Sequence, residues 1–138
     1  MKILRATPLF AIVLIIYNLV AFFSSEEFSM SAVVFGFALP SGSAFEMAWN
    51  DVFLMMGVAI LYAEVLKATR TGSASIADHA LSMAVFVVFL VEFIVVAQCG
   101  TATFLILLLM SLLDVLAGFT ISIVAARRDL AVTPADVV

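Results

Sequence analysis

Long apolar stretches alternate with short polar ones along this chain. Four stretches are almost continuously apolar, and they lie at about residues 7–23, 51–69, 79–97 and 101–126. A helix needs roughly 20 residues, with a working range of about 17–25, to cross the hydrocarbon core of a bilayer. The pattern therefore predicts an all-α membrane protein with four transmembrane helices in a single domain, residues 1–138.

The loop between the first and second stretches, at about residues 24–50, has a pattern of its own. Two short runs rich in Val, Phe and Ala flank the turn sequence PSGS at residues 40–43. Such runs around a Pro/Gly turn predict a β-hairpin. The alternative is an amphipathic helix lying on the membrane, which Gly36 and Pro40 disfavour. We expect the hairpin to pack on the helix ends or on a partner, because an isolated hairpin is barely stable in water.

Basic residues set the expected orientation. All six fall on one side of the four-helix topology: Lys2, Arg5, Lys67, Arg70, Arg127 and Arg128. The loop on the opposite side carries acidic residues instead, including Glu26 and Glu27. Since cytoplasmic loops are enriched in Lys and Arg, the prediction is that both termini are cytoplasmic and that the hairpin is periplasmic.

Two basic residues ahead of an apolar run also describe a signal peptide. This run ends in Phe22 and Phe23, and a small-x-small cleavage sequence is missing at that point. We therefore expect the first segment to be retained as a membrane helix. Short links follow the other helices, and in residues 70–78 (RTGSASIAD) a Gly is expected to end the second helix and Ser or Asp to cap the third.

Composition narrows the possible functions. Hydrophobic residues make up 66% of the chain and charged ones 12%, with a mean hydropathy of +1.31, so too few polar side chains are present to cover a water-soluble fold. Three separate pairs of basic residues form no stripe for nucleic acid. One His and one Cys are too few for a self-contained zinc site, and the sequence has no catalytic motif. We expect no enzyme activity, no metal and no cofactor.

A few polar residues fall inside the predicted spans, where they are rare and often functional. Glu92 lies near the outer end of the third span and Asp114 near the middle of the fourth. By depth, Asn18 is the expected partner of Glu92, and Tyr62 is the expected partner of Asp114. The two carboxyls either hold helices together through hydrogen bonds or relay protons or cations.

One face of the fourth span is small and polar. Ser111, Asp114, Gly118 and Ser122 recur at three- and four-residue spacing, which places them on one side of a helix that can approach a neighbour closely. That face points into the bundle or into an interface with another protein.

Four further polar residues lie towards the ends of the spans and are expected to act as boundary anchors: Asp51, Glu64, Lys67 and His79. Glu64 is expected either to extend towards the headgroups or to pair with Lys67 one turn on. His79 is expected to cap the third helix or to lie at the membrane interface.

Several short runs resemble those of a bacterial group. They are residues 64–72 (EVLKATRTG), 78–82 (DHALS), 92–93 (EF) and 114–120 (DVLAGFT). They resemble small four-helix inner-membrane proteins of Gram-negative bacteria, over roughly residues 28–129. The resemblance implies the topology and the inner membrane, and it implies no activity.

Two functional hypotheses follow. The first is a structural or accessory subunit of a homo- or hetero-oligomeric membrane complex, whose partners are lipid, other membrane subunits or further copies of itself. The second is an oligomeric proton- or cation-coupled transporter or channel that uses Glu92 and Asp114.

Overall fold

The computed structural model describes residues 7–23, 29–69 and 74–132. Within these ranges the chain forms helices and one hairpin, in the order α1 (Phe10–Phe23), β1 (Val33–Ala38), β2 (Ala44–Ala48), α2 (Trp49–Ala68), α3 (Ala74–Val95), a short 3-10 turn (Ala97–Cys99) and α4 (Ala102–Val132). Five charged residues used to predict the orientation lie outside these ranges: Lys2, Arg5, Glu26, Glu27 and Arg70.

Two helices in the described ranges are long and apolar enough to cross a membrane. They are α3, over Ala77–Val95, and α4, over Ala102–Arg128. Helix α1 has 14 residues, which is shorter than the usual span. Helix α2 has 20 residues and includes both acidic and basic side chains. The fold is thus mostly helical, with two helices of membrane-spanning length and composition.

Helix α3 begins earlier than the sequence pattern predicts. It starts at Ala74 rather than at residue 79, so Asp78 lies in its second turn and does not cap it, and Ser73, directly before this start, lies outside the described residues. The apolar pattern alone set the predicted start, and it ignored the helix-compatible residues before Asp78. Helix α4 likewise continues to Val132, past the predicted end at residue 126.

The predicted hairpin is confirmed. Strands β1 and β2 pair antiparallel, with Phe37 opposite Phe45 and Gly36 opposite Glu46. Gly42 adopts φ of 86° in the turn, a left-handed conformation that glycine reaches without steric cost. Its N–H donates to the carbonyl of Leu39 at 2.9 Å. The alternative of an interfacial helix over this region is therefore excluded.

The hairpin joins α2 without a linker. Strand β2 ends at Ala48 and α2 begins at Trp49. The Asp51 carboxylate accepts the Ala48 N–H at 2.9 Å, which satisfies a donor at the helix start and places a negative charge where the helix dipole favours it. Asp51 therefore acts as an anchor for this end of α2.

Aromatic rings from all four helices form the centre of the bundle. Helix α4 packs against α2 and α3, and α1 packs against α2 and α3. The Tyr17 ring lies 5.1 Å from that of Phe53 and 4.9 Å from that of Phe104. Phe89 lies 5.2 Å from Phe104 and 6.5 Å from Phe10. Edge and tilted contacts of this kind stabilise an aromatic core beyond its area alone.

Two glycines allow α4 to approach its neighbours closely. A Cβ at Gly57 would lie 2.6 Å from Leu107 Cδ2 and 2.8 Å from Met110 Sδ. A Cβ at Gly118 would lie 2.6 Å from His79 Nδ1 and 2.7 Å from its Cε1. Gly118 thus packs on an imidazole ring of α3, and the small polar face of α4 points into the bundle.

Gly118→Ala is expected to lower the free energy of unfolding by about 1–3 kcal/mol, the usual cost of overpacking. The rigid imidazole of His79 cannot move aside, whereas the side-chain ends of Leu107 and Met110 can rotate. Gly57→Ala should therefore cost less. Thermal unfolding in detergent measures both.

Gly100→Ala is the matched control, because its Cβ would meet only an ordinary contact, 3.4 Å from the Ala97 carbonyl. Equal unfolding temperatures for the Gly118 and Gly100 variants would contradict the close packing of α4 on His79.

Candidate functional site

Lys67 lies at the centre of a buried charged group that we term the lysine cluster: Glu64, Lys67, Asp78, Ser82 and Asp114. Its ammonium lies 2.7 Å from Glu64 Oε2 and 2.9 Å from Asp78 Oδ1, and it donates to the Thr7 carbonyl at 3.1 Å. Three oxygen atoms, two of them from carboxylates, therefore lie close to the ammonium.

Glu64 ties the first helix to the second. Its Oε1 accepts the backbone N–H of Leu9, one residue before α1, and its side chain is 2% exposed. The first N–H groups of a helix lack partners within the helix, and a carboxylate at that end also interacts favourably with the helix dipole. Glu64 and Lys67 together therefore fix the start of α1 on the end of α2.

Asp114 extends the cluster to the fourth helix. Its carboxyl is hydrogen-bonded to the side chain of Ser82 on α3, and the charges of Glu64, Lys67 and Asp78 act on it. Asp114 and Ser111, one turn earlier, are both buried. Within the described residues, no hydrogen-bond partner reaches Asp114 Oδ2 or Ser111 Oγ. The cluster thus contains three carboxyl groups for a single ammonium.

A second polar group, which we term the amide cluster, joins α1 to α3: Asn18, Glu92 and Cys99. The Asn18 amide donates to Glu92 Oε2 at 2.7 Å. The buried thiol of Cys99 lies 3.7 Å from Asn18 Oδ1 and 4.0 Å from Glu92 Oε2. The predicted pairing of Asn18 with Glu92 is confirmed.

Cys99 lies in the 3-10 turn between α3 and α4. Burial, and in second place the negative charge of Glu92, raise the pKa of its thiol to about 11. The thiol therefore stays protonated near neutral pH and is a poor nucleophile, since the thiolate is the reactive form. Its role here is a weak hydrogen-bond donor within the cluster.

Buried apolar side chains separate the two clusters. Ser82 and Glu92 are ten positions apart on α3, about 15 Å along the helix axis. Phe89 lies between them on α3, and Phe104 and Leu107 lie between the clusters on α4, each with no exposed surface. The described residues provide no chain of polar groups from Glu92 to Asp114, so neither carboxyl can pass a proton directly to the other.

His79 lies inside the bundle, where it joins α3 to α4. Its Nε2 is 2.7 Å from Ser122 Oγ, its ring packs on Gly118, and Phe119 lies 5.7 Å from it. His79 does not cap α3 as predicted, because α3 begins five residues earlier and the ring packs against α4. Ser122 and Gly118 share the face that the sequence predicts.

The structure overturns one further prediction about a partner. The side chain of Tyr62 is 67% exposed, on the outside of α2, so it is not the partner of buried Asp114. Glu64 pairs with Lys67, which is one of the two roles expected of it, and its side chain is buried. Position along a helix does not give the direction in which a side chain such as Tyr62 points.

Sequence reasoning missed Asp78 and Ser82 as members of the lysine cluster. These two residues are four positions apart and share a face of α3. A predicted start for α3 before Asp78 would have placed both residues on one helix face. Asp78 on that face is opposite in charge to Lys67. The contribution of Cys99 to the amide cluster was also missed, since a single cysteine carries no spacing signal.

A groove lies beside the amide cluster on the outside of α1 and α3. It encloses about 400 Å³. Its walls are apolar side chains of α1, namely Leu14, Ile15, Leu19, Phe22 and Phe23. Asn18 and Glu92 also line it. The amide cluster is therefore accessible from the outer surface of the bundle.

Lys67→Met is expected to destabilise the protein by about 3–5 kcal/mol, because it leaves the buried carboxylates of Glu64 and Asp78 without a cation. Combining it with Glu64→Gln and Asp78→Asn should restore much of the loss, since the charges are then removed together. Denaturant unfolding in detergent measures the difference.

Arg127→Met removes an exposed cation and serves as the control. A Lys67→Met variant as stable as this control would show that the cluster does not hold the helices together.

Comparison of the chain with protein-family models, with curated proteins and with solved structures gave no match. The function of this chain is therefore inferred from its own residues: two polar clusters at opposite ends of a helical bundle and an exposed hairpin.

Proposed function

We propose that this chain is a multi-pass protein of the bacterial inner membrane that acts as an accessory subunit of an oligomeric membrane complex. The outer surface of the helices supports the membrane setting. Val91, Ile94 and Val95 of α3 are 51%, 71% and 73% exposed. Large apolar surfaces of this kind are covered by lipid or by other proteins.

The contacts of the two clusters support four spans. The lysine cluster joins the start of α1, the end of α2 and the start of α3. The amide cluster joins the far ends of α1 and α3, and Tyr17 beside it bonds Thr101 at the start of α4 at 2.8 Å. Successive helices therefore run in opposite directions through one bundle. In this proposal all four cross the bilayer, and the lysine cluster lies at the cytoplasmic side with both termini.

Reporter insertions test this topology. Alkaline phosphatase, which is active only outside the cytoplasm, should be active when inserted after Gly42 and inactive after Gly72 or at the C-terminus. Insertion after Gln98 should give activity in any arrangement in which α3 and α4 cross and the C-terminus is cytoplasmic. If α3 and α4 alone cross, residues 42 and 72 lie on the same side, and equal reporter activity at these two positions would overturn the four-span proposal.

The hairpin carries the proposed accessory role. Phe35, Phe37 and Phe45 form one exposed aromatic face, with ring centroids 5.4 and 5.3 Å apart. The buried polar groups of the bundle mostly bond one another. In contrast, no other part of the described chain packs over these rings. Exposed aromatic surface of this size is typical of the centre of a protein interface. The proposed occupant is an apolar extramembrane surface of another subunit.

A second candidate is the oligomeric proton- or cation-coupled transporter or channel. One observation favours it: three carboxyl groups surround one ammonium, and Asp114 Oδ2 and Ser111 Oγ have no partner in the described chain. The apolar layer between Asp114 and Glu92 weighs against a route through a single copy. The accessory role is therefore the primary proposal.

Phe37→Ser is expected to remove a partner subunit from the native assembly, because Phe37 lies at the centre of the aromatic face. The chain would be tagged at its C-terminus, extracted in a mild polymer and weighed by native mass spectrometry. Val34→Ser is the matched control, since Val34 is exposed on the same strand but lies outside the aromatic face.

Foreign subunits that are retained by wild type and by the Val34 variant, and lost from the Phe37 variant, would support the accessory role. A pure homo-oligomer unaffected by either substitution would contradict it and favour ion coupling. The paired substitutions Glu92→Gln and Asp114→Asn would then be the next variants to test. A monomer in all three samples would mean that the hairpin contacts only lipid headgroups, and it would contradict the accessory role.

A further inference from the structure

The groove between α1 and α3 combines an apolar surface with one fixed carboxylate. Leu14, Leu19 and Phe22 supply apolar wall, and Glu92 supplies the charge. Its volume of about 400 Å³ lies within the range of small-molecule sites in proteins. A ligand that fits this groove is long and apolar, with a polar group at one end.

Glu92 is held in a defined position and keeps capacity for a second partner. The Asn18 amide donates to Oε2 at 2.7 Å, which fixes the carboxylate against α1. Two carboxylate oxygens accept about four hydrogen bonds in total. Because Glu92 lines the groove, a donor on a bound molecule can reach it from the groove side.

The depth of Glu92 selects the class of ligand. Glu92 lies three residues before the end of α3 at Val95, about 4.5 Å along the helix axis. In the membrane topology proposed above, this is the level where acyl chains give way to headgroups. A carboxylate at this level attracts an ammonium and repels a phosphate that has no neutralising cation.

We propose that the groove binds a phospholipid with a primary ammonium headgroup, with an acyl chain along the α1 wall and the ammonium bonded to Glu92. A primary ammonium offers three N–H donors, whereas a quaternary ammonium offers none. The carboxylate therefore distinguishes ethanolamine from choline headgroups, although both carry the same charge. This inference depends on the membrane topology and is independent of the hairpin contact.

Native mass spectrometry with defined lipids tests the inference. The protein would be delipidated and incubated with phosphatidylethanolamine, phosphatidylcholine or phosphatidylglycerol that have identical acyl chains. Wild type should retain the ethanolamine lipid about tenfold better than the choline lipid, the ratio expected from a charge-assisted hydrogen bond. Retention of phosphatidylglycerol should be the weakest of the three.

Glu92→Gln should reduce that preference to near unity. Glu46→Gln is the matched control, because Glu46 is an exposed carboxylate on β2, away from the groove. Ile15→Trp fills the groove from an outward position, 58% exposed, and should lower the retention of all three lipids. Thermal unfolding of each variant shows that the fold is kept.

Equal retention of the ethanolamine and choline lipids by wild type, or a preference that Glu92→Gln leaves intact, would overturn the proposal. A dimer that dissociates with Ile15→Trp would also overturn it, since a second copy would then occupy the groove. Failure of the four-span topology would show separately in the reporter insertions, so the two proposals fail in different experiments.

Discussion

Lys67 brings distant parts of the chain to one point. Its ammonium contacts a carboxylate on its own helix, one on α3 and the backbone carbonyl of Thr7 just before α1. The shared carboxylate of Glu64 adds a second bond to the α1 start. Burying charges costs several kcal/mol per ion unless they are paired with good geometry. The folded chain meets that condition only when three helices are in place, so this cluster makes the arrangement of the bundle specific.

The polar groups of this protein are concentrated at the two ends of the bundle, and its middle is aromatic. Phe89 and Phe104 are fully buried between the clusters, and Tyr17 directs its hydroxyl to Thr101 at one end. This division suits a protein whose buried polar groups hold helices in register. It suits a conduit less well, because a conduit needs polar groups or water throughout its length.

The sequence predicted features that depend on local chemistry or on depth. The hairpin follows from the PSGS turn between two apolar runs, and the Asn18–Glu92 contact follows from counting residues back from two helix ends. The pairing of Glu64 with Lys67 follows from their spacing within one helix. Depth, however, does not give the rotation of a helix about its axis, which is why Tyr62 was assigned to Asp114 although it points outward.

Features that depend on contacts between distant segments could not be predicted in this way. Asp78 completes the coordination of Lys67 from another helix, and neither spacing nor hydropathy indicates that pairing. His79 was placed at a boundary because the apolar stretch starts beside it, yet the helix starts earlier. The ring then lies against Gly118, a contact that only the packed helices define.

The direct passage from β2 into α2 has a mechanical consequence. With no linker between Ala48 and Trp49, and with the Trp49 and Asn50 N–H groups bonded to the carbonyls of Ala32 and Met30, the hairpin cannot swivel independently of the helix. A force on the hairpin tip is therefore transmitted directly to α2. At the far end of that helix are Glu64 and Lys67, so a load applied on one side of the bundle reaches the ion pairs on the other.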